Sequence, residues 1–143
     1  MTLPRVDFYV MKQPGPDARG HTTCRLAERA WKAGHTVLIR IPDANTADRI
    51  DDLLWTFRQD AFVPHAKLNG GDPPREPVLI GIADAPTAGA DVLINLGEDV
   101  PLGFADFARV AEVISGDDTV KAQGRERYRF YRDQGCEVNT HNV

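Results

Sequence analysis

The chain is poor in the residues and patterns that would mark a metal centre, a disulfide scaffold or a membrane span. It has two cysteines in 143 residues, Cys24 inside a helical pattern and Cys136 near the end. Their spacing excludes a disulfide framework and a structural zinc site, and both are read as free thiols. The four histidines, His21, His35, His65 and His141, are scattered without ligand spacing, so no metal or other cofactor is expected. No apolar stretch approaches the roughly 20 residues that cross a bilayer. Met1-Thr2-Leu3-Pro4-Arg5-Val6-Asp7 has no basic region leading into an apolar run, so the chain is expected to stay in the cytoplasm, with no membrane partner. The dinucleotide pattern G-x-G-x-x-G and the nucleophile elbow G-x-S-x-G are both absent.

What is present is the balance of a globular protein, 42% hydrophobic and 27% charged residues. That is enough for one domain spanning 1–143, with a core of its own. Val6 to Met11 reads as a strand, and the Pro/Gly-rich loop Gln13-Pro14-Gly15-Pro16 stops it. A helix carrying Cys24, Ala27 and Trp31 follows and ends at Gly34. Thr36 to Ile41 is β-branched and almost continuously apolar, as a strand covered on both faces should be. Asp43 or Asn45 can cap a helix with Ala47, Ile50, Leu54 and Phe57 on one face. Val78 to Ala83 and Asp91 to Leu96 are two more buried strands, joined by a segment too short for a crossover helix, so they can sit apart in the sheet. Phe104, Phe107, Ala111 and Ile114 fall at helical spacing and predict another helix. A last helix is predicted over about 119–134, capped by Asp117 or Asp118 and stopped by Gly135. Alternating strands and helices predict an α/β three-layer sandwich around a mainly parallel sheet.

The strongest enzyme-like feature is Gly15-Pro16-Asp17-Ala18-Arg19-Gly20-His21-Thr22, which has the spacing of a phosphate-binding loop. His21 stands where that loop needs lysine, a permanent charge that histidine lacks at neutral pH. Pro14 and Pro16 remove backbone donors. Asp84, after a strand, could serve as a magnesium-binding carboxylate, although an aspartate there is also ordinary turn chemistry. A degenerate nucleotide-binding ATPase is therefore the alternative reading. The acidic clusters Asp51-Asp52 and Glu98-Asp99 have no proton-transfer partner in the sequence, and nothing assembles a catalytic constellation.

Net charge is −4, unevenly spread. From Lys121 to Arg132 five basic residues face one acid, a net +4, which leaves 12 bases against 20 acids elsewhere. Lys121, Arg125, Tyr128 and Arg132 fall at i, i+4, i+7 and i+11 of the last helix, on one face, with Arg129 beside them. Arginine forks grip carboxylates or phosphates, and an adjacent aromatic can pack an apolar group delivered with the anion. An acidic peptide terminus fits this stripe; nucleic acid fits less well, because the −8 elsewhere repels a polyanion. A second candidate surface holds Trp55 and Phe57 at a helix end and Phe62 in the run Phe62-Val63-Pro64-His65. Trp55 lies off the core stripe; Phe57 lies on it.

Taken in order, Val6-Asp7-Phe8-Tyr9, Ala27-Glu28-Arg29-Ala30-Trp31, Asp52-Leu53-Leu54-Trp55, Phe104-Ala105-Asp106-Phe107 and Gly124-Arg125-Glu126-Arg127-Tyr128-Arg129-Phe130-Tyr131-Arg132 resemble the chi subunit of the bacterial DNA polymerase III holoenzyme. The resemblance covers essentially the whole chain. It implies a fold like that of nucleotide-binding proteins without hydrolysis, and a non-catalytic adaptor with two partners. One is the acidic C-terminal tail of single-stranded-DNA-binding protein, through which contact with DNA is indirect. Carried over to this chain, its site is Lys121, Arg125, Tyr128, Arg129 and Arg132, with Ile114 in the apolar pocket. The other is the psi subunit, which leads to the clamp loader and would meet Trp55 and Phe62, with Phe57 at the margin.

Overall fold

The computed structural model describes residues 2–72, 74–83 and 89–143. Seven strands form one sheet: β1 (Arg5–Val10), β2 (Val37–Ile41), β3 (His65–Lys67), β4 (Val78–Ile82), β5 (Val92–Asn95), β6 (Arg109–Ile114) and β7 (Val138–Asn142). Their order across the sheet is β3-β4-β2-β5-β6-β1-β7. Every pairing is parallel. β4 and β5, whose short connection left room for them to sit apart, do so, with β2 between them.

Among the described residues three helices complete the sandwich: α1 (Pro16–Lys32), α2 (Ala44–Thr56) and α3 (Asp118–Asp133). Strand alternation assigns the two faces. Val37, Ile39 and Ile41 of β2, Val92 and Ile94 of β5, and Ala111 and Val113 of β6 pack with Cys24, Ala27, Ile50 and Leu54 of α1 and α2. Leu38, Leu93, Val110, Ile114, Val6 and Phe8 point the other way and pack with Tyr131 of α3. Asp43 caps α2 by accepting the Thr46 N–H at 2.8 Å. Gly135, at φ +93°, lets the chain leave α3 in the left-handed conformation. Cys24 and Cys136 are both free and buried, and burial pushes the Cys24 thiol up to about 12.

One sequence expectation is corrected. Phe104, Phe107, Ala111 and Ile114 do not lie on one helix: residues 104–106 form a short 3-10 turn, and 109–114 form β6. The stretch Val110-Ala111-Glu112-Val113-Ile114 is β-branched and buried on both faces, which favours a central parallel strand. Glu112, the one charged residue of that stretch, is itself fully buried. Residues 138–142, for which the sequence suggested no element, add β7 to the edge beside β1.

A cationic cleft on the third helix

α3 lies across β6 and β7 with Gly124 at its close approach: a Cβ there would come within 2.9 Å of Ile114 Cδ1. The gap beside this contact is a cleft of about 440 Å³. Its floor and walls are Phe8 and Val10 of β1, Ile114 of β6, Thr140 of β7 and Gly124. Lys121, Arg125, Tyr128, Arg129 and Arg132 surround it. The structure therefore brings all six residues singled out on this side of the chain to one opening. Phe8, Val10, Gly124 and Thr140 were not singled out. The first two were legible from the alternation of β1, and a glycine inside a helical pattern signals a close approach.

The cations differ in how far they are already partnered. Arg129 donates to Glu126 at 3.1 Å, and Arg132 stands 3.9 Å from Asp133, both pairs exposed. Lys121 and Arg125 have no carboxylate within 4.0 Å among the described residues. Tyr128 is half-buried and tilts against Phe8, ring centroids 5.3 Å apart. The cleft thus combines an apolar floor with cations free to accept an anion. Those are the two requirements for holding an apolar side chain next to a carboxylate.

Arg127, counted with this basic segment in the sequence, does not belong to it. It points inward, 2% exposed, and its Nε donates to Glu112 Oε1 at 3.0 Å. Its Nη1 donates to the Glu98 carbonyl at 2.7 Å. Tyr131 Oη donates to Glu112 Oε2 at 2.7 Å, and Asn95 Nδ2 reaches both Glu112 oxygens. Arg40 extends the network, bonding Asn95 Oδ1 at 3.0 Å and Asp99 Oδ1 at 2.8 Å. Burial pushes the Glu112 carboxyl above its ordinary range, while Arg127, Asn95 and Tyr131 pull against that shift.

The aromatic surface is elsewhere. Trp55 and Phe62 are 53% and 61% exposed, with ring centroids 6.1 Å apart, and Trp55 leans on the buried His65 at 4.7 Å. Phe57 does not join them. It packs against the core under α1 and α2, as its place on the core stripe foretold.

The phosphate-loop reading is not supported by the geometry. α1 begins at Pro16, so Asp17 to Thr22 are helical rather than a loop. His21 is exposed, whereas Thr22 is buried. The N–H of Gly15, at the head of α1, donates to Asp117 Oδ2 at 2.9 Å. Ser115 Oγ donates to the same oxygen at 2.7 Å. These bonds hold the Asp117 carboxyl below its usual range. The position a phosphate would take at a helix N-terminus is filled by the chain's own carboxylate. Asp84 lies outside the described residues. Among the described residues no group of His, Cys, Asp and Glu could hold a metal ion, and no helix is long and apolar enough to cross a membrane.

Known proteins resemble this chain along its length. The family described as DNA polymerase III chi subunit, HolC, matches residues 3–139. The DNA polymerase III subunit chi of Pseudomonas aeruginosa is 36% identical over 141 residues, 99% of this chain and 98% of the relative. That of Haemophilus influenzae is 32% identical over 137 residues, 95% of each chain. The Escherichia coli subunit is 34% identical over 131 residues, 88% of this chain and 86% of the relative. The chain belongs to the family of DNA polymerase III chi subunits, accessory subunits of the replicative polymerase.

Proposed function

We propose that this chi-family chain is a non-catalytic adaptor whose α3 cleft binds the acidic C-terminal tail of single-stranded-DNA-binding protein. The observation that carries the reading is the cleft itself, an apolar floor of Phe8, Val10 and Ile114 ringed by Lys121, Arg125, Arg129 and Arg132. Arg125, with no acid partner among the described residues, grips the terminal carboxylate, a charge-assisted bond worth about 1.5–3 kcal/mol. Tyr128 and Ile114 enclose the last apolar side chain, whose burial contributes a similar amount, roughly 1.5–3 kcal/mol.

The exposed Trp55–Phe62 pair is the face for the psi subunit, which links the chain to the clamp loader. Large aromatics left in water at a helix end and the following loop are the residue types that anchor protein interfaces. Phe57, half-buried against the core, stays at the margin of that face. The chain stays in the cytoplasm, touches DNA only through its partners and needs no cofactor.

Calorimetric titration with an acidic peptide ending in Pro-Phe carboxylate tests the first site. Binding of roughly micromolar strength, about 8 kcal/mol, is expected, and both Arg125→Ala and amidation of the peptide terminus should weaken it at least tenfold. Full-strength binding of the amidated peptide would remove the carboxylate from the account.

A further inference from the structure

On the other face of the sheet, between the first turns of α1 and the end of α2, lies a larger opening of about 1010 Å³. Lys12, His21, Arg25 and Arg58 line it around Phe57, and Asp17 is the one acid on its wall among the described residues. Arg58 is engaged by Glu28 at 2.6 Å. Lys12 and Arg25 have no carboxylate within 4.0 Å among the described residues, and the one partner of the Arg25 guanidinium given by the geometry is the Thr22 hydroxyl at 3.4 Å. This bias runs against the composition, in which acids outnumber bases 21 to 17. Cations gathered and left unpaired in a chain with surplus acid mark a surface that meets negative charge.

The two openings are neighbours across the strand ends. Val10 faces the α3 cleft, while the next residues, Met11 and Lys12, face this one. On adjacent β7 Thr140 lines the first, and Val143, one residue past the strand's end, lines the second. The ridge between them is firm: Gly116 N–H donates to the Gln13 carbonyl at 2.8 Å, and any Cβ at Gly116 would collide with the Lys12 carbonyl. Layers packed on a sheet stand about 10 Å away from it, and an extended peptide advances about 3.3–3.6 Å per residue. A chain anchored in the α3 cleft by its C-terminus therefore crosses the ridge in about three to six residues.

We propose that this second cleft takes the acidic stretch upstream of the terminal apolar residue in the same peptide, with Lys12 and Arg25 pairing with its carboxylates. The proposal rests on the tail reading of the α3 cleft. A nucleic-acid backbone is the less favoured occupant, because residues 41–120 hold 15 acids against 5 bases and would repel a long polyanion passing the cleft.

The test compares three synthetic peptides by fluorescence anisotropy: a four-residue peptide ending in Pro-Phe carboxylate, the same peptide with four aspartates added upstream, and one with four asparagines instead. Against the wild-type chain the aspartate peptide should bind about five- to tenfold more tightly than the short one, and 0.5 M salt should erase the gain. Lys12→Glu with Arg25→Glu should abolish the gain and leave short-peptide binding unchanged. Lys12→Gln with Arg25→Gln should abolish most of it, and unfolding curves of both variants check that they fold. If the gain survives both double variants, the acids are held elsewhere, for example by Lys121 and Arg129, and the proposal is overturned while the tail reading stands. If the short peptide does not bind the wild-type chain at all, the tail reading fails first and takes the proposal with it. If instead a single-stranded oligothymidine binds in a Lys12- and Arg25-dependent way while the aspartates add nothing, the cleft is a nucleic-acid surface and the peptide proposal is wrong.

Discussion

Arg125 and Arg127 stand two residues apart on α3 in opposite surroundings. Arg125 projects into water beside an apolar floor, with no carboxylate within 4.0 Å among the described residues. Arg127 is 2% exposed and bonded to a glutamate that is fully buried. One helix thus keeps a charge available on its outer face and spends another on its inner face. The difference is set by what the sheet offers underneath: Phe8, Val10 and Ile114 toward the cleft, Glu112 toward the core. An arginine over the first needs its anion delivered by another molecule, whereas an arginine over the second already has one.

The comparison breaks most sharply on the inner face. Arg127→Ala leaves Glu112 buried without its cation and should cost about 3–5 kcal/mol in a denaturant unfolding curve. Glu112→Leu combined with Arg127→Met should recover most of that loss, because the penalty comes from the unpaired charge rather than from the missing pair. A loss under about 1 kcal/mol for the single variant would mean that Glu112 takes up a proton or is reached by water. At the boundary between the two faces, Gly124→Val pushes α3 away from Ile114 and should cost about 1–3 kcal/mol in thermal unfolding. Ile114→Ala in the same chain should relieve part of the strain, and if it does not, the close approach at Gly124 is not where the cost arises. The outer face should yield the smallest change in stability. Arg125→Ala should stay within about 0.5 kcal/mol of the parent, so that any loss of peptide binding is a loss of contact and not of fold. A clear drop in unfolding midpoint for Arg125→Ala would show that the outer cations also hold the helix in place.

The same contrast explains which parts of the molecule were legible in the sequence. Lys121, Arg125, Tyr128, Arg129 and Arg132 could be assembled from helical spacing alone, because they lie on one exposed face of one element. Trp55 could be placed outside the core, and Phe57 against it, from the same periodicity. Arg127 could not be separated from them, since whether a cation is buried depends on an acid 15 residues earlier on another element. Glu112 was not singled out for the same reason. A charge inside an apolar run looks like the wet face of a helix until its partners Asn95, Arg127 and Tyr131 are known. β7 was missed because Asn139, Thr140, His141 and Asn142 give little strand signal of their own, and it forms against the exposed edge of β1.

The sequence by itself determined the element types with strong periodicity, the α/β class and the cationic stripe, because each is a local pattern of side chains along one backbone. Tertiary structure alone decided the order β3-β4-β2-β5-β6-β1-β7, the burial of Arg127 under Glu112, the filling of the α1 N-terminus by Asp117, and the meeting of two cationic clefts across the ends of β1 and β7. Each of these depends on groups far apart in the chain, whose contact free energy must exceed the entropy of bringing them together, and no short stretch of sequence records that balance.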